Sequence, residues 1–426
     1  MSWFYYIGFL TYLLCLPLKT LAIDADYSVG LSIGKYDNID LVAEPLEKET
    51  SYNLNAGLSV SEDASNLYLN IRGIVNSINY VNDVVEDRTS GDLVANVIWR
   101  IKPGHFEWYL DNTFTQSLID TLDSDSPENR ENINVFSTGP NYIVRLSARN
   151  NLQFEARAQN YNYERNFDNN RSFTAARWIY NVNSAFTLSL NSEAELVRFK
   201  DDLVNNDFDR YDSFLGLDYL RGTTEFNAEY GSTNIVNEII PDNSVERYLL
   251  AISSIRSSST TIRLDYENLL SDTGRQASNL TSSQIGNDSP LSAVNNDLFI
   301  DQTIRLQYIK NYSDNNITYQ LFTGEREYNI RSDLDVEVDG IYINGRWLIN
   351  SRDFVLFNLR YVQNVYLDPT LNREDEDYRY AITYNHRLQR QINVGLELIS
   401  LERESNIEDS SYEDFRMILT LNYSSL

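Results

Sequence analysis

Sulfur and lysine are scarce in this chain, which has one cysteine, two methionines and six lysines in 426 residues. The single cysteine, Cys15, lies in an N-terminal apolar run. The rest of the chain therefore has neither a disulfide nor a cysteine-based metal site. This composition suits passage through an oxidising compartment.

Long apolar runs and linkers are also missing. After residue 22 no apolar stretch reaches the ~20 residues that a transmembrane helix needs. The apolar run 3–16 and the small-residue exit Thr20-Leu21-Ala22 predict a signal peptide over residues 1–22. An N-terminal anchor is the alternative, because no basic residue precedes the run. No Pro-rich or Gly/Ser-rich segment divides residues 23–426, which are predicted to form a single domain.

The chain is strongly acidic and rich in aromatic residues. Its net charge of -27 excludes a nucleic-acid-binding protein, which must neutralise phosphates. Its 12% aromatic content differs from that of disordered acidic chains, which have few aromatics. Thirty tyrosines favour many β-strands.

Apolar and polar residues alternate almost everywhere, as in the last segment, where Phe415, Met417, Leu419, Leu421 and Tyr423 alternate with Arg416, Ile418, Thr420 and Asn422. This period indicates strands with one apolar and one polar face. The segments are about 10 to 14 residues long, whereas soluble strands average about 5 to 6. Aromatic residues such as Tyr378 and Tyr384 end the apolar faces. These features predict a transmembrane antiparallel up-and-down β-barrel, with its apolar face toward lipid, rather than a soluble sandwich.

Short turns and longer, mostly acidic connections alternate along the chain. The short turns fall at 62–63, 102–104, 149–150, 183–184, 221–222, 257–259, 313–314, 351–352 and 388–390. The longer connections fall at 37–48, 81–88, 119–131, 167–170, 201–208, 235–244, 271–296, 331–336, 368–376 and 404–412. Nine short turns and ten longer loops predict about 20 strands, with 18 as the alternative. Both chain ends then lie on the short-turn side, which faces the periplasm in bacterial barrels.

The polar face is assigned to the lumen of the barrel. Its positions are Asn53, Asn55, Tyr68, Arg72, Asn96, Arg100, Glu107, Asp111, Arg145, Gln153, Glu155, Arg157, Arg177, Glu193, Glu195, Asp218, Glu225, Glu229, Arg263, Asp265, Glu267, Arg305, Gln307, Arg346, Arg360, Arg379, Glu397 and Arg416. A soluble core cannot hold so many charges, because each unpaired buried ion costs several kcal/mol. A water-filled lumen can.

Arginine dominates the cations of this face. The candidates for a solute path are Arg72, Arg100, Arg145, Arg157, Arg177, Arg263, Arg305, Arg346, Arg360, Arg379, Arg416, Glu155, Asp265 and Glu267. In one interpretation these residues form ion-pair ladders that brace the wall. In the other, the planar guanidinium groups guide an anionic or hydroxyl-rich solute.

The acidic loops are interpreted as solvated surface, with Ca²⁺ or Mg²⁺ collection as the alternative. No ligand spacing supports a specific site, so neither a metal nor another cofactor is predicted. The longest loop, 271–296, either folds inward and narrows the pore or stays on the surface.

Catalysis is not predicted. The two histidines, His105 and His386, lie beside short turns with no serine or carboxylate tied to them by a motif. The GxSxG motif is absent, and carboxylate pairs such as Asp265/Glu267 follow from the strand period alone.

Two segments, Trp99-Arg100-Ile101-Lys102-Pro103-Gly104-His105-Phe106-Glu107-Trp108 and Asn134-Val135-Phe136-Ser137-Thr138-Gly139-Pro140, carry a resemblance. Together with Tyr161-Asn162-Tyr163-Glu164-Arg165 they resemble the β-barrel porins of exopolysaccharide operons, the EpsL-like outer-membrane proteins. Physically, Pro103-Gly104 predicts a tight turn and Gly139-Pro140 predicts a bulge. The resemblance implies a wide outer-membrane conduit that exports or assembles a secreted polysaccharide with periplasmic export components.

Two other functions remain open, namely a general or solute-selective uptake porin and a structural or adhesive barrel. In each case the expected location is the bacterial outer membrane, and the expected partners are its lipid and lipopolysaccharide. No nucleic-acid partner is expected.

Overall fold

A computed structural model describes residues 23–45, 47–200, 207–237, 243–279 and 297–425. Within these ranges the chain forms twenty antiparallel strands. They are β1 (Asp24–Tyr36), β2 (Glu49–Asp63), β3 (Leu67–Tyr80), β4 (Arg88–Lys102), β5 (Phe106–Leu118), β6 (Arg130–Arg145), β7 (Asn150–Tyr163), β8 (Asn169–Asn183), β9 (Phe186–Phe199), β10 (Phe208–Arg221), β11 (Thr224–Asn237), β12 (Asn243–Ser257), β13 (Thr260–Ser271), β14 (Phe299–Tyr312), β15 (Asn315–Tyr328), β16 (Val336–Leu348), β17 (Asp353–Tyr366), β18 (Glu374–Gln389), β19 (Ile392–Ser405) and β20 (Tyr412–Ser424).

Helical structure in the described ranges is limited to α1 (Thr273–Ser278) and two 3-10 turns, Pro127–Asn129 and Ser332–Leu334. None of these helices is long and apolar enough to cross a membrane. The predicted signal peptide, residues 1–22, lies outside the described residues.

The sheet closes on itself. Each strand pairs with its neighbours in sequence, and β1 also pairs with β20, from Ser28 opposite Ser424 to Tyr36 opposite Arg416. The Tyr27 amide donates a 2.7 Å hydrogen bond to Ser425 Oγ beside this closure. Closure leaves no unpaired edge among the twenty described strands, as a lipid environment requires. The prediction of 20 strands is confirmed, and the alternative of 18 is wrong.

The nine short turns lie at, or within about three residues of, their predicted positions; the turn after β2 is at 64–66 and not at 62–63. The Pro103-Gly104 turn links β4 to β5, with Gly104 at φ 69°, a conformation that favours glycine. Both Asp24, which begins β1, and Ser424, which ends β20, lie at this short-turn end of the barrel.

The outer face carries an apolar belt. Leu31 and Leu215, which project outward, are 59% and 60% exposed. Four exposed tryptophans, at positions 99, 108, 178 and 347, lie toward the short-turn ends of their strands. Nearer the long loops, tyrosines pair across strands, with Tyr361 and Tyr378 ring centroids 5.1 Å apart. The belt therefore ends in aromatic residues on both sides, like the interfacial girdles of membrane barrels.

The predicted bulge at Gly139-Pro140 is wrong. The pairing of β5 with β6 runs through Trp108 opposite Pro140 and Tyr109 opposite Gly139 without a shift. The register of β6 with β7 is also the same on both sides of this dipeptide. A Cβ at Gly139 would collide with the Ala156 carbonyl oxygen. The glycine is needed because two backbones approach closely, and no extra residue is inserted.

The two faces of β20 allow a direct test of the membrane orientation. We expect Leu419→Arg, at the middle of the outward belt, to lower the free energy of unfolding by about 2–4 kcal/mol, because it places a cation in lipid. Thr420→Arg, one residue further on the inner face, is the matched control and should change it little. Urea unfolding of the barrel in lipid vesicles measures both. Equal losses would contradict this assignment of faces.

Candidate functional site

All fourteen candidate residues lie on the inner face, where they alternate with the exposed apolar residues of the outer belt. Their role in solute passage stays a prediction. Their contacts, however, show that most of these charges are already paired within the wall.

The inner face of β7, β8 and β9 carries a continuous ion-pair ladder. Arg177 bridges Glu155 at 2.6 Å and Glu193 at 2.8 Å. Arg157 also pairs with Glu155, at 3.1 Å, and its guanidinium lies 4.4 Å from the Tyr109 ring centroid. These contacts connect three neighbouring strands and brace the wall.

Other candidates have similar partners. The ion pairs are Arg100–Asp63 (2.9 Å), Arg263–Asp265 (2.8 Å), Arg305–Glu267 (3.9 Å) and Arg416–Asp414 (2.5 Å). Arg346 and Arg360 lie over the rings of Phe354 and Tyr342, and Arg379 also has an interaction partner. Among the described residues, Arg72 and Arg145 are exposed and make no ion pair. The wall is therefore mostly neutralised and does not form a row of free cations.

The segment after β13 folds into the barrel. Helix α1 lies against β5 and β6, which are eight and seven strands away around the wall. Ala277 of α1 is completely buried in a cluster with Ile133, Val135 and Tyr161. These three residues occupy inner positions, which are polar in most of the barrel. They are apolar here because the helix covers them. Of the two interpretations of this loop, the inward one holds for residues 272–279, whereas residues 280–296 lie outside the described ranges.

Four charged residues hold α1 in place, and we call Arg171, Glu195, Asp272 and Arg275 the latch. Arg171 of β8 makes a bidentate pair with Asp272, at 2.7 and 2.9 Å. Glu195 of β9 accepts from Arg171 at 3.3 Å and from Arg275 at 3.2 Å. The Arg171 side chain is 2% exposed and lies 4.0 Å from the Tyr161 ring centroid. The latch thus joins the helix to two strands.

The latch also sets the charge states of the loop residues. Burial alone would raise the pKa of Asp272, but the adjacent Arg171 guanidinium lowers it below its usual value. Burial would lower the pKa of Arg275, but the carboxylate of Glu195 raises it. Asp272 also caps α1, accepting a 3.0 Å bond from the Arg275 amide. Both groups are held in their charged forms.

A second buried pair lies beside the latch. Arg210 and Asp212 of β10 form a 2.7 Å ion pair, and both are almost fully buried. Arg210 also donates a 2.8 Å bond to the Leu270 carbonyl, at the end of β13. This contact fixes the point where the chain leaves the wall for α1.

The long-loop end of the barrel, which we call the mouth, is also crossed by loop 119–129, between β5 and β6. Helix α1 reaches from β13 towards β5 and β6, and this loop reaches from β5 and β6 towards β14 and β15. Its Leu122 packs against Phe299, Tyr328 and Leu334, which belong to β14, β15 and the loop that follows. The Tyr366 hydroxyl of β17 donates a 3.4 Å bond to the loop's Thr121 carbonyl. Two loops therefore bridge the long-loop mouth from opposite sides.

The sequence reasoning missed most of this cluster. Arg171 and Arg210 share the inner face with Arg177, so strand parity alone was the signal that could have found them. Asp272 and Arg275 lie in a loop with no periodicity, and nothing local marks them.

Both histidines lie at the short-turn end of the barrel. His105 lies in a turn, and His386 Nδ1 is 2.6 Å from Asp353 Oδ1 at the short-turn end. In the described part of the chain, no group of three histidine, cysteine, aspartate or glutamate residues could hold a metal ion.

No protein-family model and no curated protein sequence matches this chain. Solved structures with a similar fold include the siderophore receptor PirA from Pseudomonas aeruginosa, at 11% identity and a TM-score of 0.50, covering 96% of this chain and 81% of that one. Others are the siderophore receptor PiuA from Acinetobacter baumannii (8%, TM-score 0.44, 95% and 82%) and the outer membrane protein opdK from Pseudomonas aeruginosa (9%, TM-score 0.39, 94% and 99%). At these identities the likeness concerns the fold alone.

The closed barrel, its outward apolar belt and its aromatic girdles together define the class. The chain is a bacterial outer-membrane β-barrel protein.

Proposed function

We propose that this barrel is a channel for the export or assembly of a secreted polysaccharide. The observation that carries the proposal is the inner wall, which is polar but has most of its charges paired. A row of free cations would bind a polyanion tightly and hinder its movement. A wall of neutralised pairs and ring stacks offers many weak contacts to hydroxyl groups and sugar rings.

The resemblance of segments 99–108 and 134–140 to the EpsL-like porins supports the same function. Periplasmic export components are the proposed partners at the short-turn end. The proposed surroundings of the belt are outer-membrane lipid and lipopolysaccharide.

A solute-selective uptake porin is the second candidate, because loop 119–129 and α1 narrow the mouth. A polymer conduit needs these two elements to move aside, whereas a small-solute porin does not.

A strain that lacks the gene separates the two functions. Loss of secreted polysaccharide, restored by the full-length gene, is the result expected for export. Unchanged secretion with lost uptake of a small solute would refute export.

A structural or adhesive barrel with a closed lumen is the third candidate. Planar-bilayer recording of the purified barrel tests it, because a stable open pore is incompatible with a closed lumen.

A further inference from the structure

The inner wall changes character where the barrel closes. Where β19, β20, β1, β2 and β3 meet, the inner face carries a row of amides at one level, and we call this row and the one beside it the seam wall. Asn393 lies opposite Asn422, Asn422 opposite Gly30, Gly30 opposite Asn55, and Asn55 opposite Asn76. Four carboxamides and one glycine thus form a lateral row across five strands.

A second row lies next to the first, one inner position nearer the long-loop end. Gly395 is opposite Thr420, Thr420 opposite Ser32, and Ser32 opposite Asn53. The inner positions of β1 between residues 28 and 34 and of β2 between residues 51 and 61 hold only Ser, Asn and Gly. The seam wall is therefore uncharged and has small side chains, unlike the ion-pair ladder of β7–β9.

The seam amides are not used within the protein. None of the four Asn side chains of the first row makes a hydrogen bond to another described residue. The Oδ1 atoms of Asn393 and Asn422 are buried and lack a partner within the described ranges. Native proteins pair most such atoms, so each exception needs an explanation.

Amides on the outer face behave differently. Asn112 donates to Asn134 at 3.0 Å, and Asn160 donates a 2.7 Å bond to Asn170 Oδ1. Cross-strand geometry in this barrel therefore permits amide pairing. On the seam wall, the Asn422 and Asn55 side chains instead lean over Gly30, where a Cβ would collide with Asn422 Oδ1 and lie 2.6 Å from Asn55 Oδ1. The glycine makes room for both.

We infer that the seam wall is a binding surface for uncharged sugar units, an inference that rests on the proposed polysaccharide channel and narrows its substrate to a neutral polymer. A carboxamide both donates and accepts, which matches a sugar hydroxyl. An acidic sugar would instead select arginine, whose fork fits a carboxylate. Neither row of the seam wall has an arginine. Charged inner residues of the same strands, among them Asp26, Arg72, Glu397 and Arg416, lie on either side of the two rows.

Sugar block of the ion current tests this inference. The full barrel is placed in planar bilayers, and maltohexaose, a neutral glucose hexamer, is added on the short-turn side. The double variant Asn55→Ala/Asn422→Ala should weaken the block about thirtyfold, because it removes two hydrogen bonds that are worth roughly 1 kcal/mol each. The outward pair Asn112→Ala/Asn134→Ala is the matched control and should leave it unchanged. The near-isosteric Asn422→Asp removes only the donor and keeps the size of the side chain. It should weaken the block about threefold, and it shows that the effect of the double variant does not come from a failure of the barrel to assemble.

Two results would overturn the inference. One is an unchanged maltohexaose block in both seam variants. The other is a stronger block of the wild-type pore by hexagalacturonate, an acidic hexamer, than by maltohexaose. Either result leaves export itself standing if deletion of the gene still abolishes polysaccharide secretion. Conversely, a seam-dependent sugar block with unchanged secretion would refute export and retain the sugar surface.

Discussion

Replacing Arg171 by alanine is expected to free α1 from the inner wall and to raise the single-channel conductance severalfold. The substitution leaves Asp272 and Glu195 buried without their shared cation. Breaking a buried ion pair by removing one partner costs about 3–5 kcal/mol. A six-residue helix whose buried residues are Thr273, Gly274 and Ala277 has little else to offset that loss. Planar-bilayer recording measures the conductance.

Arg177→Ala is the matched control for this experiment. Arg177 lies on the same strand and the same face as Arg171, and it also has two carboxylate partners. Those partners belong to the wall and not to α1, so the conductance should stay at the wild-type value. If the two variants conducted equally, the latch would not be what keeps α1 in the lumen.

A compensated variant separates release of the helix from general damage. In Arg171→Met/Asp272→Asn, uncharged side chains of similar size replace the main ion pair. The carboxylate that caps α1 is therefore removed together with its cation and is not left buried alone. We expect its conductance to fall between those of the wild type and Arg171→Ala. A value as high as that of Arg171→Ala would show that the helix needs the ion pair itself.

The barrel could be predicted from the sequence because its signals are local. An alternating strand such as β20 and a turn such as Pro103-Gly104 need no information from distant residues. The inner and outer faces follow from the same period, and so does the inner position of Arg177. Strand count, turn positions and the outer-membrane location therefore all followed from short-range patterns.

The contacts of the lumen could not be predicted in this way. Arg171 and Asp272 are 101 residues apart, and the second lies in a loop without a period. Gly139 looked like a bulge because the sequence does not show that the Ala156 carbonyl lies against it. These features depend on which segments meet in three dimensions.

The polar residues predicted to line a solute path were charged ones, and the amides were not among them. The candidate list favoured arginines such as Arg157, which proves to be paired and largely buried. Asn422 carries no charge and was noted only as part of an alternating strand, yet its amide oxygen is among the buried atoms that lack a partner within the described ranges. Pairing is decided by register between strands, which sequence composition does not reveal.

Because Cys15 is the only cysteine of the chain, a designed disulfide can test the position of α1 without interference from native thiols in residues 23–426. Ala277 and Val135 belong to the same buried cluster, one on the helix and the other on β6. We expect Ala277→Cys/Val135→Cys, placed in the Arg171→Ala background, to return the conductance to the wild-type level when oxidised. A reductant should restore the high conductance, because the covalent link then no longer replaces the latch.

The single variant Ala277→Cys in the same background controls for the substitution itself and should not respond to oxidation. If the oxidised double variant still conducted at the high level although the disulfide had formed, the extra current could not come from release of α1. The bridge of loop 119–129, anchored by Leu122, would then be the leading candidate, within the described residues, for the element that narrows the mouth. The disulfide therefore tests directly whether α1 or another segment forms the constriction.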